Sequence, residues 1–268
     1  MQSKTLICRT AAIHWRQFSR KRYAVFQSLG RVVCISVLSV ATLTHATPAT
    51  AQAKSALSAA KTGLEEGRLM VKMADVSVLE EGDLLFNVQL PNGGLGQAIT
   101  EVTEGYAQQS ISHVAIVCKR PEGLFALEAS GEHGVWLNPI KSFIQQADHS
   151  ADGKALILVG RLKDRSNLHN SVEKALTYMG RPYDKLYLPS DEEIYCSELV
   201  QLSYTDSQGR SVFPQIPMSF HDQTGQVTDF WKAYYNKVNM EVPEGWPGTN
   251  PGGISRSEKL DIIYQLTD

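Results

Sequence analysis

The chain has 268 residues, 43% of them hydrophobic, with 26 basic and 28 acidic side chains. Seven of the basic residues and none of the acidic ones precede residue 52, so the remaining 217 residues carry 19 basic against 28 acidic side chains. A domain this acidic is a poor candidate for binding nucleic acid or an anionic membrane surface. Its length is enough for one domain with a substantial core.

The first 51 residues predict a cleavable export signal. Residues 1–31 are basic, Val32–Leu43 is an apolar run of about twelve residues, and Ala49-Thr50-Ala51 has the small-x-small pattern of a cleavage site. The apolar run is too short to span a bilayer comfortably. We therefore expect cleavage near Ala51 and a periplasmic or secreted protein without a stable membrane span. A retained membrane anchor is the alternative.

A helical segment and a first strand are predicted next. Residues 52–75 are rich in Ala, Lys, Leu, Glu and Met, which favour helix. Glu81–Phe86 predicts a turn that leads into a strand, and 97–102 a short helix.

Residues 112–129 predict a β-hairpin. Two β-rich runs flank a turn marked by proline and glycine. If Lys119 faces Leu124, antiparallel pairing makes His113 and Glu128 diagonal neighbours on one face, within reach of long side chains.

The rest of the chain predicts further strands and helices, together with a tail of loops that contain many proline and glycine residues. The predicted elements are strands at 134–137 and 155–162, a helix at 167–179 with Ser166 as N-cap, a helix at 227–237, and a helix or strand at 255–266.

Tyr195–Val200 predicts the first turns of another helix, with Cys196 at its start. The first turn of a helix has unpaired N–H groups and the positive end of the dipole. A cysteine there is favoured as thiolate, the form that attacks carbonyl groups. The alternative is a small buried apolar residue.

A cysteine nucleophile needs a base and a third group that orients the base. His149 and His169 lie in polar stretches and are interpreted as solvated surface, His133 lies in a glycine-rich turn, and His221 lies in the tail. Only His113 lies in a strongly apolar strand beside a predicted carboxylate. It is therefore favoured over His133 and His221, the alternative being a strand histidine bonded to backbone.

Cys118 and Cys196 are the cysteines that remain after cleavage, and an oxidising compartment favours a disulfide between them. Cys118 lies five residues after His113, so it points to the opposite face, into the core. If His113 and Cys196 share a site, the disulfide is not expected.

Five motifs occur in a fixed order, and together they carry a family resemblance. They are Gly82-Asp83-Leu84-Leu85-Phe86, Ser112-His113-Val114-Ala115-Ile116, Leu127-Glu128-Ala129, Gly180-Arg181-Pro182-Tyr183-Asp184 and Tyr195-Cys196-Ser197-Glu198-Leu199-Val200. The ordered set, with the cysteine after the histidine, resembles the permuted papain-like amidases of YiiX/YaeF type in the NlpC-like cysteine peptidase superfamily. The resemblance runs from about Glu81 onward.

The resemblance implies an α+β fold in which an antiparallel sheet packs against helices, and it implies roles for four residues. Cys196 would be the nucleophile, His113 the general base and Glu128 the residue that orients His113. Gly180–Tyr183 matches a Gly-x-x-Tyr pattern, so Tyr183 would stabilise the oxyanion together with the Cys196 backbone N–H. The alternatives are a packing aromatic for Tyr183 and a strand-edge surface acid for Glu128.

We therefore expect three segments: an export signal at 1–51, a helical segment at 52–75, and a hydrolase domain at 76–268 whose loop-rich extension covers about 205–268. The expected function is an exported cysteine amidase that acts on cell-wall peptides through a thioester. The alternatives are a lipid-directed hydrolase or acyltransferase, and a non-catalytic periplasmic binding domain. No cofactor and no metal are expected, and no Cys or His cluster has the spacing of a metal site.

Overall fold

The structure is a computed structural model, and it describes residues 75–190 and 192–266. The predicted export signal, and the predicted helical segment up to residue 74, lie outside the described residues. The predicted division into segments therefore stays a prediction.

The strands of the described residues are β1 (Leu84–Val88), β2 (Ile111–Arg120), β3 (Gly123–Ser130), β4 (Gly134–Pro139), β5 (Ile157–Leu162), the short pair β6 (Ile216–Pro217) and β7 (Pro247–Gly248), and β8 (Leu260–Gln265). Six of them form one antiparallel sheet with the order β4-β3-β2-β1-β5-β8. The α-helices of the described residues are α1 (Gly94–Glu101), α2 (Ile140–Gln146), α3 (Leu168–Leu176), α4 (Cys196–Ser203), α5 (Asp229–Asn236) and α6 (Pro251–Ser255). Within this part of the chain, no helix combines the length and apolar character needed to cross a membrane.

Helices cover both faces of the sheet because its central strands are apolar on both sides. On one face, α3 and α4 bury Val172, Leu199 and Val200 in the cluster that includes Ile116. On the other face, α2 buries Phe143 and its neighbours. Each fully buried Val, Leu or Phe side chain contributes about 1.5–3 kcal/mol relative to exposure. The predicted α+β class with an antiparallel sheet is confirmed.

The predicted boundaries shift in places. Helix α1 begins three residues before the predicted start at residue 97, and the end of the chain forms strand β8. The prediction of Ser166 as the N-cap of α3 was wrong, because Asn167 occupies that position. The Asn167 side chain does not cap the helix but donates to the backbone oxygen and Oγ1 of Thr205, both at 3.0 Å, and so ties α3 to the chain after α4.

The Gly82-Asp83 motif holds the beginning of β1 and the end of α4 together. Asp83 is fully buried and accepts hydrogen bonds from the Arg161 guanidinium at 2.8 and 2.7 Å. Tyr204, the residue after α4, donates its hydroxyl to the Gly82 oxygen at 2.8 Å. The motif is therefore a structural clamp on α4 rather than part of a binding surface.

The aromatic side chains of the tail form a third core cluster with α1. Trp231, Tyr235 and Phe220 are 2%, 0% and 4% exposed, and the Trp231 indole donates to the Ala98 oxygen at 3.2 Å. The Tyr235 hydroxyl donates to the Leu186 oxygen at 3.0 Å. The tail thus braces the loop that leads toward α4.

Candidate active site

Cys196 is the first residue of α4 and is 4% exposed. The preceding residue, Tyr195, has extended backbone geometry, and its hydroxyl accepts a hydrogen bond from the Thr249 N–H at 3.0 Å. The Tyr195 N–H donates to the Glu198 carboxylate at 3.4 Å. Because the first N–H groups of a helix have no partner within it, the thiol lies beside backbone donors at the positive end of the α4 dipole.

His113 and Glu128 meet where β2 and β3 separate. The ladder between the strands runs from Arg120–Gly123 through Lys119–Leu124 and stops at Ile116–Leu127, one pair before Glu128 would be opposite Ala115. Beyond that point His113 Nε2 lies 2.6 Å from Glu128 Oε2. The predicted Lys119–Leu124 register is therefore present, and His113 and Glu128 lie just beyond the paired part of the two strands.

The His113 imidazole also interacts with Cys196, so the three predicted residues form one constellation. Burial alone would lower the pKa of His113. The Cys196 charge and hydrogen bond, followed by the Glu128 hydrogen bond and charge, instead raise that pKa from 6.5 to about 10. Nε2 is engaged by Glu128, which leaves Nδ1 for the thiol. A histidine with this pKa is an imidazolium at neutral pH.

Sequence reasoning missed Asn138, which holds Glu128 in place, and Gln146, which is a second acceptor for Asn138. Asn138 in β4 is fully buried, and its Nδ2 donates to Glu128 Oε1 at 2.8 Å and to Gln146 Oε1 at 2.9 Å. Burial raises the pKa of Glu128, but the His113 hydrogen bond and charge and the Asn138 hydrogen bond hold the pKa below its ordinary range. Trp136 pairs with Glu128 across the two strands, and Asn138 lies two residues after Trp136. Since residues two apart in a strand share a face, the alternation of side chains along β4 could have placed Asn138 on the same face as Glu128.

Tyr183 lies beside this constellation because its loop is fixed on two sides. The Gly180 N–H donates to the Val135 oxygen and the Val135 N–H to the Arg181 oxygen, both at 2.8 Å. A Cβ on Gly134 would lie 2.2 Å from the Arg181 oxygen, so this approach requires glycine. On the other side, the Ile194 N–H donates to the Pro182 oxygen at 2.9 Å, two residues before Cys196.

The Tyr183 hydroxyl stays protonated in this position. Burial, and then the charge of Cys196, raises the pKa of Tyr183 well above 10. A hydroxyl that keeps its proton can donate a hydrogen bond to a developing oxyanion.

A cavity of about 280 Å³ opens beside His113. Its walls include His113, Glu128, Tyr183, Glu132, His133 and Trp136. The His133 ring stacks on Trp136, with centroids 4.2 Å apart and an interplanar angle of 22°.

The other histidines do not join the constellation. His221 pairs with Glu244 in the tail, with Nδ1 3.1 Å from Oε1. His169 is exposed as expected, whereas the expectation of a solvated His149 was wrong, because that residue is half-buried and its Nε2 is enclosed.

Cys118 and Cys196 are both free and buried, so no disulfide joins them. The physical reason differs from the predicted one, because both belong to the same core cluster. Cys118 follows Val117, whose oxygen accepts from the Gly82 N–H, and the Gly82 oxygen accepts from the hydroxyl of Tyr204, so Cys118 lies toward the far end of α4 from Cys196. Eight residues of helix span about 12 Å, too far for a disulfide. Burial raises the pKa of the Cys118 thiol to about 11.

Metal ligands are not clustered in the described part of the chain. Over residues 75–190 and 192–266, no group of three or more His, Cys, Asp or Glu side chains is arranged to hold a metal ion.

The chain is similar to known proteins. A family model described as "Permuted papain-like amidase enzyme, YaeF/YiiX, C92 family" matches residues 78–264. The uncharacterised protein YiiX of Escherichia coli K12 is 28% identical over 169 residues, which cover 62% of this chain and 77% of YiiX.

A solved structure shares the fold. The crystal structure of metalloprotein yiiX from Escherichia coli O157:H7 aligns with a TM-score of 0.56 at 23% identity, covering 69% of this chain and 97% of that one. At this identity the likeness is one of fold.

Proposed function

The chain belongs to the permuted papain-like amidase family, and from that premise we propose that it is an exported cysteine amidase that cleaves an amide bond in cell-wall peptides through a thioester intermediate. The family supports a cysteine peptidase or amidase acting on a peptide. Export, the cell-wall substrate and the residue roles below are the proposal.

One observation carries the chemistry: a single imidazole contacts both a carboxylate and a helix-terminal thiol. His113 Nε2 lies 2.6 Å from Glu128 Oε2, and the same ring interacts with Cys196 at the start of α4. This is the arrangement of nucleophile, base and orienting group that covalent catalysis of acyl transfer requires.

In the first half of the reaction, the Cys196 thiolate attacks the substrate carbonyl carbon and a C–S bond forms. The carbonyl oxygen becomes an oxyanion, which accepts hydrogen bonds from the Cys196 backbone N–H and the Tyr183 hydroxyl. The His113 imidazolium then gives its Nδ1 proton to the substrate nitrogen. The C–N bond breaks, and an amine leaves while the acyl group stays on sulfur.

In the second half, neutral His113 takes a proton from water, and the resulting hydroxide attacks the thioester carbonyl. The C–S bond breaks, the carboxylic acid leaves, and the thiolate–imidazolium pair is restored. Glu128 and Asn138 hold the ring orientation through both halves. If another nucleophile replaces water, the same steps give acyl transfer.

The lipid-directed alternative expects an apolar groove lined by the aromatic side chains of the tail. Three of these side chains, Trp231, Tyr235 and Phe220, are buried in the third core cluster, which argues against such a groove, whereas Trp246 is 37% exposed. The structural relative is described as a metalloprotein, but a metal is not carried over to this chain, because the described residues offer no fitting set of ligands.

The test is hydrolysis of defined muropeptides by the full chain, purified from the exported fraction of a bacterial host. Mass spectrometry identifies the bond that is cut. We expect Cys196→Ala and His113→Ala to abolish cleavage, and the matched variant Cys118→Ala to retain it. Cleavage that survives Cys196→Ala would contradict the mechanism. An unreactive Cys196 with no cleavage of any amide would favour the binding-domain alternative.

The same preparation tests export. The intact mass of the purified protein should correspond to removal of residues 1–51. A full-length mass in the membrane fraction would instead support a retained anchor.

A further inference from the structure

We infer that the cavity beside His113 binds the departing half of the substrate and selects a leaving group that carries a cationic amine. This inference rests on the proposed amidase function and names a substrate class for it.

The position of the cavity assigns it to the leaving group. His113 lines the cavity, whereas Cys196 is not among the residues that line it. The imidazolium delivers its proton to the nitrogen that departs, so the group attached to that nitrogen lies on the His113 side of the scissile bond. The acyl half, which bonds to sulfur, lies on the other side.

The charges of the walls favour a cation. Glu128 is compensated by His113 at 2.6 Å. Glu132 is exposed and has no ion-pair partner among the described residues, and the only basic side chains of the walls are His113 and His133. Because the His113 charge is already paired with Glu128, the Glu132 carboxylate is left to attract ammonium groups and repel acids.

The aromatic wall reinforces this preference. Trp136 is half-buried, with the His133 ring stacked on one of its faces at 4.2 Å, so both aromatic rings contribute to the cavity wall that also includes Glu132. Indole rings attract cations positioned over their faces, and they also pack against the methylene groups of an amine side chain. At about 280 Å³ the cavity is at the small end of ligand sites, which fits one amino-acid side chain better than a long acyl chain.

The test compares peptides that share one scissile bond and differ only in the leaving residue: lysine, Nε-acetyllysine and glutamate. We expect kcat/KM for lysine to exceed that for acetyllysine by about tenfold, mostly through KM. Glu132→Gln should remove most of that ratio, while the matched variant Glu122→Gln, an exposed acid in the β2–β3 turn, should keep it. Equal turnover of the lysine and acetyllysine peptides by the wild type would overturn the inference.

A binding measurement separates this inference from the proposed function. Lysine amide and Nε-acetyllysine amide, as leaving-group mimics, are titrated while the Trp136 indole N–H is followed by NMR. A shift with lysine amide that weakens at least fivefold in Glu132→Gln supports the inference. If this shift occurs but no peptide is cleaved, only the proposed function is contradicted. The absence of a shift, or equal shifts with both amides, would overturn the inference.

Discussion

Replacing Glu128 by glutamine should lower the pKa of His113 by one to two units. The carboxylate is 5% exposed and lies 2.6 Å from Nε2, while the neutral amide that replaces it carries no charge to stabilise the imidazolium. A hydrogen bond to a charged group contributes about 1.5–3 kcal/mol, and about 1.36 kcal/mol corresponds to one pKa unit. From about 10 in the wild type, the pKa should therefore fall to between 8 and 9 in the variant.

Removal of the Cys196 side chain should change the pKa of His113 more strongly than removal of the Glu128 carboxylate. The Cys196 charge is the largest of the influences that raise the pKa of His113, so Cys196→Ala should lower that pKa more than Glu128→Gln does. With both partners removed, only burial remains. The pKa of the double variant should then fall below the ordinary value of about 6.5.

The assay follows the His113 Cε1–H resonance by NMR as a function of pH, with the resonance identified by its loss in His113→Ala. Glu122→Gln serves as the control, because it removes an exposed carboxylate without touching the site. A Glu128→Gln titration within about 0.3 units of the wild type would refute the reasoning, since an ion pair at this separation must contribute more. A smaller effect for Cys196→Ala than for Glu128→Gln would refute the assigned order.

Three further predictions test the neighbouring residues. Asn138→Ala removes the amide donor of the buried Glu128 carboxylate and should lower the free energy of unfolding by about 1–3 kcal/mol in urea titrations; unchanged stability would contradict the described contact. Tyr183→Phe should lower kcat by roughly 10²-fold with little change in KM if the hydroxyl stabilises the oxyanion, whereas an unchanged kcat would assign Tyr183 to packing. Burial raises the pKa of Asp184 to about 6, so its contribution to stability is present below about pH 4 and lost as pH rises through 6. The free energy of unfolding of the wild type relative to Asp184→Asn should therefore fall by about 2 kcal/mol between pH 4 and 7, and a flat difference would contradict this sign.

The hairpin was predictable because its determinants are local. The turn after β2 is marked by proline and glycine, and the alternation of side chains fixes which residues share a face. From these two facts the neighbourhood of His113 and Glu128 follows. The roles of these residues, like those of Cys196 and Tyr183, stay predictions until variants are assayed.

The rest of the site depends on contacts between segments that are distant in sequence. Asn138 reaches Glu128 only because β4 pairs with β3, and Gln146 only because α2 turns back over the sheet. Helix α2 has seven residues and follows Pro139 without a side-chain cap, so its sequence carries no strong signal for a start. Composition predicted a loop-rich tail, but only packing shows that its aromatic residues brace the loop before α4.

The separation of the two buried cysteines by the length of α4 has a consequence for oxidative damage. Peroxide converts a reactive thiolate to a sulfenic acid, which a second thiol nearby can trap as a disulfide before further oxidation. In the described residues Cys118 is the only other thiol, and it lies at the far end of the helix with its pKa raised to about 11. A sulfenic acid at Cys196 therefore has no resolving thiol within this part of the molecule. Its repair depends on a small-molecule or protein reductant from outside, and without one oxidation proceeds to the irreversible sulfinic acid.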